Sequence, residues 1–211
     1  NYQDNAGSVT ASYVVKTVVN GVEVASSPAV QPFSTGLTKR IALSRPAGGT
    51  TPSGESYTYS PNDGSAGDLD GDGRWDLVFK WEPSNAKDNS QSGYTGNVYL
   101  EGITLDGKRL FRIDLGRNIR AGAHYTQFVV ADFDLDGKAE IICKTAPGTR
   151  DGLGNYLSTG PAANDNDAAD YRNSSGYVLD GPEYLTVFRG TDGKELATVN
   201  YNPPRGTVSS W

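Results

Sequence analysis

The sequence contains almost no cysteine, histidine or methionine. Of its 211 residues, one is cysteine (Cys143), one is histidine (His124) and none is methionine. A single cysteine excludes an internal disulfide framework and a zinc site built on cysteine pairs. Cys143 lies within an apolar run, so we interpret it as an inert core residue. Because the chain opens with Asn1 and lacks methionine, we expect a mature or trimmed chain.

Positive charge and long apolar runs are also lacking. The chain has 19 Lys and Arg against 25 Asp and Glu, which gives a formal net charge of −6 at pH 7. Nucleic-acid binding depends on clustered Lys and Arg at phosphates, so we expect no nucleic-acid partner. No apolar run approaches the roughly 20 residues of a membrane-spanning helix, so we expect no membrane association.

Glycine and proline, in contrast, are abundant. The chain has 26 Gly and 11 Pro, and 36% of its residues are hydrophobic, which is enough for a core. No stretch shows helical periodicity. Short apolar runs instead end at Asn-Gly or Asp-Gly pairs, which favour tight hairpin turns. The sequence therefore predicts an all-β protein.

A hairpin is predicted at residues 11–25. The β-branched run at 13–19 meets Asn20-Gly21, a pair that accepts the positive φ angles of a type I′ turn, and a return strand follows at 22–25. A hairpin alone is only marginally stable in water. We therefore expect it to be the end of a larger β-sandwich domain.

Two copies of one unit follow a Gly/Pro/Ser-rich stretch at residues 44–56. Each copy has an acidic loop that leads into an apolar strand and, further on, a hairpin that turns at Asp-Gly. The loops lie at residues 68–76 and 132–140, and the turns at 106–107 and 192–193. Repeated units of this kind are typical of propeller blades, and a propeller needs about 4–8 blades to close. We therefore infer an incomplete β-propeller and a chain that is a fragment.

Both acidic loops have the form D-x-D-x-D-G-x-x-[DE], which predicts calcium binding. Carboxylates at alternate positions point the same way when the backbone curls, and the glycine permits a sharp turn. The EF-hand is excluded because Phe79 and Cys143 stand where its bidentate Glu belongs, and because each loop leads into a strand. An acidic turn without an ion would leave its carboxylates repelling one another. The predicted Ca²⁺ ligands are Asp68, Asp70, Asp72, Arg74, Asp76, Asp132, Asp134, Asp136, Lys138 and Glu140, where Arg74 and Lys138 contribute main-chain carbonyl groups.

Long strings of the sequence resemble a known family. The strings SPNDGSAGDLDGDGRWDLVFKWEPSN, LFRIDLGRNIRAGAHYTQF and GPEYLTVF are similar to the bacterial rhamnogalacturonan lyases of polysaccharide lyase family 11. The resemblance covers nearly the whole chain and is densest at residues 46–149. It implies that residues 1–33 are the C-terminal part of a fibronectin-like β-sandwich. It further implies that residues 34–211 are the first blades of an eight-bladed propeller that binds several Ca²⁺ ions.

The same resemblance implies a function. Members of this family cut the rhamnosyl-(1→4)-galacturonate bond of rhamnogalacturonan I, a pectin polysaccharide, by β-elimination. We therefore expect a calcium-dependent lyase that is secreted by a bacterium and is monomeric. Asn62 aligns with an asparagine that hydrogen-bonds substrate, and Glu82 with a position where relatives carry aspartate. Asp63 is a further candidate calcium ligand, whereas the general base stays unassigned.

Other polar and aromatic side chains have two interpretations. His124 is interpreted as a hydrogen-bonded core residue rather than a base. Arg120 and Lys144 are suited either to a uronate carboxylate or to ion pairs with the acidic loops. Aromatic side chains can stack on sugar rings, although strand aromatics more commonly belong to the core; those in question are Trp75, Trp81, Tyr94 and Tyr125.

Two alternatives to a lyase remain at this stage. One is a non-catalytic, calcium-stabilised propeller that binds polysaccharide or acts in adhesion. The other is that this chain alone is inactive, since an unclosed ring would lack part of the sugar site. The string at residues 62–94 favours the lyase for the parent protein, because it resembles the lyases and not the adhesion propellers.

Overall fold

The structure is a computed structural model, and it describes residues 4–8, 10–32, 38–122 and 125–209. The chain divides into two compact units, Asn1–Ala42 and Leu43–Trp211. Within the described ranges, no helix is long and apolar enough to cross a membrane. His124 lies outside the described residues, so its interpretation as a core residue stays a prediction.

The first unit contains the predicted hairpin. Strands β1 (Lys16–Val19) and β2 (Val22–Ser26) pair antiparallel. The turn between them has φ angles of 50° at Asn20 and 78° at Gly21, as a type I′ turn requires. The first strand is shorter than predicted, because Tyr13 instead makes an isolated bridge to Val30. The fibronectin-like sandwich stays a prediction.

The second unit begins with a small sheet and a larger one. Strands β3 (Gly49–Thr50) and β4 (Ser56–Tyr57) form a two-stranded ladder. Four antiparallel strands follow and pair in chain order to form the first four-stranded sheet. They are β5 (Tyr59–Gly67), β6 (Asp76–Pro83), β7 (Tyr99–Ile103) and β8 (Arg109–Asp114).

A second four-stranded antiparallel sheet has the same plan, with neighbouring strands again consecutive in sequence. Its strands are β9 (Phe128–Ala131), β10 (Glu140–Thr145), β11 (Tyr184–Phe188) and β12 (Glu195–Asn200). A short 3-10 helix, Gly160–Asn164, lies between β10 and β11. The all-β class is thus confirmed for the described residues.

The two copies of the sequence repeat occupy equivalent positions in the two four-stranded sheets. In each sheet the acidic loop joins the first strand to the second, and the Asp-Gly turn joins the third to the fourth. The longer connection between β10 and β11 accounts for the greater length of the second copy. Two four-stranded sheets are too few to close a ring of blades, so the propeller itself stays a prediction.

Strand β5 was not predicted from the sequence. The β5 segment, YSPNDGSAG, is rich in turn-forming residues, yet it pairs along most of the apolar strand β6. A neighbouring apolar strand supplies the hydrogen-bonding partner that local propensity does not indicate, and strand formation follows from that tertiary context.

One apolar core spans both four-stranded sheets. It includes Leu100 and Ile113 from the first sheet and Ile141, Cys143 and Phe188 from the second. Cys143 is 3% exposed, and burial raises the pKa of its thiol to about 12. The thiol is therefore protonated at neutral pH, and the interpretation of Cys143 as inert core is confirmed.

Candidate functional site

The first acidic loop curls around the carboxylate of Asp68. Asp68 Oδ1 accepts hydrogen bonds from the main-chain N–H groups of Gly71 at 2.7 Å and Asp72 at 3.1 Å, and Oδ2 accepts one from Gly73 at 2.7 Å. Gly71 and Gly73 have φ angles of 80° and 82°, which a side chain would strain. This curl directs the loop carboxylates toward one another.

Three carboxylates of the first loop converge. Ligand oxygens of Asp68, Asp70 and Asp76 all lie within 4.8 Å of one another. Asp72, which was also predicted as a ligand, is not in this group. Its carboxylate instead accepts hydrogen bonds from Arg74 Nε at 2.9 Å and Nη2 at 2.7 Å.

The second loop repeats the curl with a different trio. Oxygens of Asp132, Asp134 and Asp136 lie within 4.8 Å of one another. Glu140 is not among them, and its Oε2 accepts the main-chain N–H of Phe133 at 3.0 Å. Asp76 makes the matching bond in the first loop, to the N–H of Leu69 at 3.0 Å.

Burial and neighbouring charges make the ionised form of the last carboxylate in each loop less favourable. Burial raises the pKa of Asp76, and the negative charges of Asp70, Asp72 and Asp68 raise it further. Burial and the three aspartates of the second loop raise the pKa of Glu140 in the same way. Each loop therefore favours a cation that would offset this repulsion.

The donor set fits a hard metal ion. Within the described ranges, none of the six clustered aspartates forms an ion pair with Lys or Arg. Converging carboxylate oxygens without their own counter-ions suit cations such as Ca²⁺ or Mg²⁺. The predicted roles of the Arg74 and Lys138 carbonyl groups stay predictions.

The two residues predicted to contact sugar lie side by side on β5 and β6. Asn62 Nδ2 donates a hydrogen bond to Glu82 Oε2. Asn62 is exposed, and the side chain of Glu82 is 21% exposed, so the pair is reachable from solvent. An amide and a carboxylate placed together offer one donor group and several acceptors, which suits sugar hydroxyls.

A buried lysine missed in the sequence supports this pair. Lys80 is 1% exposed, and its Nζ lies 2.9 Å from Asp63 Oδ2 and 4.0 Å from Glu82 Oε1. Asp63 sits in a β-bulge with φ of 30°, a conformation in which its side chain reaches Lys80. The structure thus places Asp63 on Lys80, apart from the two aspartate trios. A lone charge within the apolar run LVFKW was the available signal, because a buried charge needs a partner.

The other candidate cations do not pair with the acidic loops. Lys144 Nζ pairs with Glu183, and Arg120 donates to main-chain carbonyl oxygens of residues 88–93. Among the aromatic candidates, Trp81 is 1% exposed and belongs to the core, whereas Trp75 is 66% exposed. The Tyr94 ring stacks with Arg172, whose Cζ lies 5.0 Å from the ring centroid.

Comparison with known proteins assigns the chain to a family. The family model described as rhamnogalacturonan lyase family 11, C-terminal domain, matches residues 38–211. The chain therefore belongs to rhamnogalacturonan lyase family 11, as the strings of its sequence indicated.

Two curated relatives match over the whole chain. The chain is 56% identical over 215 residues to rhamnogalacturonan endolyase YesW of Bacillus subtilis (strain 168), an alignment that covers 100% of this chain and 33% of that protein. It is 49% identical over 211 residues to rhamnogalacturonan exolyase YesX of the same organism, again covering 100% and 33%. The chain spans about a third of the length of these curated relatives.

Solved structures agree with this assignment. The crystal structure of rhamnogalacturonan lyase YesW superposes with a TM-score of 0.83 at 55% identity, over 99% of this chain and 34% of that one. A rhamnogalacturonan lyase of Bacillus licheniformis gives a TM-score of 0.81 at 56% identity, over 97% of this chain and 34% of that one.

Proposed function

We propose that this chain is part of a secreted bacterial lyase that degrades rhamnogalacturonan I by β-elimination at its rhamnosyl-(1→4)-galacturonate bond. The observation that carries the proposal is the 56% identity, along the entire chain, to a rhamnogalacturonan endolyase. Membership of the family supports it. The relatives are about three times longer, so the proposal concerns the parent protein, and the 211 residues alone are expected to be inactive.

The proposed reaction requires a positive charge and a base in the site. β-Elimination removes the C5 proton of galacturonate and expels the substituent on O4. That proton is only weakly acidic while the neighbouring carboxylate is negative, so positive charge must face the carboxylate and a base must face the proton. The general base stays unassigned.

Asn62 and Glu82 would bind sugar hydroxyl groups in this scheme. Their side chains already contact each other and remain reachable from solvent. Lys80 would help to orient the Glu82 carboxylate, because its buried ammonium lies 4.0 Å from Glu82 Oε1. Holding acceptors in place before the sugar arrives lowers the entropic cost of binding.

The two acidic loops would each hold a Ca²⁺ ion. Asp68, Asp70 and Asp76 supply three oxygens in the first loop, and a rotation of Asp72 away from Arg74 would add another. Calcium takes 6–8 oxygen ligands and tolerates irregular geometry, which fits short loops of this kind better than magnesium does. Bound calcium would supply positive charge that fixes the loops preceding β6 and β10.

We further propose that the second unit is the beginning of an eight-bladed propeller, and that the parent protein is a monomer. The two antiparallel meanders have the strand order of propeller blades. On the face of the second sheet opposite Cys143, Val129 is 55% exposed and Val199 54% exposed, as expected where a next blade would pack. The hairpin of the first unit would be the end of a fibronectin-like sandwich.

An ultraviolet absorbance assay tests the proposed function. The full-length parent protein is mixed with rhamnogalacturonan I, with and without EGTA, and the band of the unsaturated uronate is followed. A rise that chelation abolishes is expected. Sugar binding without any rise would contradict the lyase and favour a non-catalytic polysaccharide-binding propeller.

A further inference from the structure

Three cationic side chains surround one small cavity beside the second sheet. Arg120, Lys144 and Arg205 line a cavity of about 30 Å³, and among the described residues Glu183 is the only carboxylate in its wall. The wall therefore carries an excess of positive charge, although the chain as a whole has a net charge of −6. A cluster of positive charge on a negatively charged protein therefore needs a structural or functional reason.

Arg120 brings a buried positive charge that no described carboxylate neutralises. The residue is 5% exposed. Its guanidinium donates to the carbonyl oxygens of Asp88 at 3.0 Å, Gln91 and Gly93 at 3.4 Å, and it lies 4.6 Å from the centroid of the Tyr177 ring. These contacts fix the guanidinium in place. Its Nε is buried and makes no hydrogen bond.

Glu183 is shared between the other two cations. Its Oε1 pairs with Lys144 Nζ and, at 2.6 Å, with Arg205 Nη2. Burial raises the pKa of Glu183, but hydrogen bonds from Arg205 and Lys144 outweigh burial and leave the pKa below its ordinary value. Arg205 Nη1 is buried without a hydrogen-bond partner. One carboxylate thus serves two cations and leaves donors unused.

A larger cavity adjoins this cluster. Glu183 and Arg205 also line a cavity of about 540 Å³. This volume lies within the ~300–1,000 Å³ typical of small-molecule sites. Tyr201 lines the same cavity, and its ring centroid lies 5.3 Å from Lys144 Nζ. Space for a sugar ring therefore lies next to the positive charge.

We propose that this cationic pocket, formed by Arg120, Lys144 and Arg205, binds the carboxylate of a galacturonate residue in the substrate chain. The inference rests on the proposed function, because galacturonate is the anionic unit of rhamnogalacturonan. Guanidinium and ammonium groups bind carboxylates through charge-assisted hydrogen bonds, which are about twice as strong as neutral ones. Tyrosine rings beside the cations suit a sugar acid better than a bare inorganic anion, since a pyranose ring also presents an apolar face.

Calorimetric titration of the full-length parent protein tests the pocket. The two probes are a rhamnogalacturonan I oligosaccharide and the same oligosaccharide with its galacturonates methyl-esterified, which removes the negative charge. The free acid is expected to bind at least about tenfold more tightly to the unmodified protein, as loss of a charge-assisted hydrogen bond implies.

Two substitutions that change the charge of the pocket in opposite directions test whether the pocket causes the preference for the acidic probe. Lys144→Gln removes a cation and should raise Kd for the acidic probe about tenfold. Glu183→Gln removes the competing carboxylate and should lower that Kd. Lys108→Gln, which replaces an exposed lysine near the β7–β8 turn, is the matched control and should leave Kd unchanged. Thermal unfolding of each variant verifies that it is folded.

A purely structural ion-pair cluster gives a different result. It would make Lys144→Gln and Glu183→Gln move Kd in the same direction, or leave the preference for the acidic probe unchanged, and either outcome overturns the proposal. If Lys144→Gln does not fold, two other measurements test the proposal. They are the Kd of the Glu183→Gln variant for the acidic probe and the preference of the unmodified protein for the acidic over the esterified probe. Elimination by the unmodified protein without any preference for the acidic probe would refute this pocket alone. Neither elimination nor binding of either probe would refute the proposed function as well.

Discussion

The main-chain N–H of Ala139 donates a hydrogen bond of 2.6 Å to the main-chain carbonyl oxygen of Asp68. This bond joins the end of one acidic loop to the start of the other. The side chain of Lys138 also lies against Gly71, where an added Cβ would come within 3.0 Å of Lys138 Cε. The two loops therefore pack as a pair, and an ion that orders one is expected to support the other.

Calcium is expected to stabilise the parent protein through both loops. At a calcium concentration about 100 times Kd, binding to one site adds about 2.7 kcal/mol to the free energy of unfolding. Asp68→Asn and Asp132→Asn should each reduce the rise in Tm that calcium produces. Because the loops are in contact, the double variant should lose less than the sum of the two single losses. Differential scanning calorimetry with calcium or EGTA measures this, and Glu23→Gln is the control. Equal Tm values with calcium and with EGTA would contradict calcium binding.

Asp76→Asn should have opposite effects with and without calcium. The pKa of Asp76 is raised by burial and by neighbouring aspartates, so without an ion its contribution to stability is greatest below the unfolded pKa and falls as pH rises through the folded pKa. Without calcium, the neutral amide should therefore stabilise the protein at neutral pH. With calcium, loss of a ligand should destabilise it. Urea unfolding in calcium and in EGTA measures both signs, and Asp180→Asn is the control. A change of the same sign in both buffers would contradict the proposed ligand role.

Glu195 is expected to make the second sheet sensitive to acid. It is 7% exposed and accepts hydrogen bonds from Ser158 N at 2.7 Å and Thr159 Oγ1 at 2.8 Å. Burial raises its pKa, but hydrogen bonds from Thr198, Ser158 and Thr159 outweigh burial and hold the pKa below the usual 4.5. The stabilisation is therefore present above the unfolded pKa and lost as pH falls through the folded pKa.

Glu195→Gln tests this contribution. The amide keeps only one acceptor oxygen, so the substitution should cost about 1–3 kcal/mol of unfolding free energy at neutral pH. The cost should shrink at pH values below the folded pKa, where the native carboxyl is protonated. Urea unfolding across this pH range measures it. A cost that does not change with pH would show that the carboxylate charge is not responsible.

Gly102 should be intolerant of a side chain. A Cβ at this position in β7 would lie 2.3 Å from Phe111 Cε1, within the apolar core. Gly102→Ala is expected to cost at least about 1–3 kcal/mol, the usual penalty of overpacking. Gly64→Ala in β5 is the matched control, since the nearest atom to its Cβ would be 3.7 Å away. Equal unfolding free energies for the two variants would contradict the packing described here.

The sequence predicted those parts of the fold that local chemistry determines. Asn20-Gly21 requires positive φ angles at both residues, and both are observed. The Asp-Gly turn predicted at residues 192–193 joins β11 (Tyr184–Phe188) to β12 (Glu195–Asn200). Strand β5 was missed because its residues favour turns, and only pairing with β6 makes it a strand.

The candidate site likewise has a part that the local sequence predicts and a part that depends on tertiary contacts. The acidic loops have a local pattern, so all six converging aspartates were predicted. Asp72 was placed among them, but Arg74, two residues further on, takes its carboxylate. The ion pair between Lys80 and Asp63 joins residues on two strands and depends on a bulge, which no spacing in the sequence indicates.

The mass balance of the products tests the central claim most directly. The full-length parent protein is incubated with a rhamnogalacturonan I oligosaccharide of known mass, and the products are weighed by mass spectrometry. Elimination predicts two products whose masses add up to that of the substrate, one of them an unsaturated uronate, and a much slower reaction for the Asn62→Ala variant. Products whose summed mass exceeds that of the substrate by one water molecule would mean hydrolysis and would contradict the account.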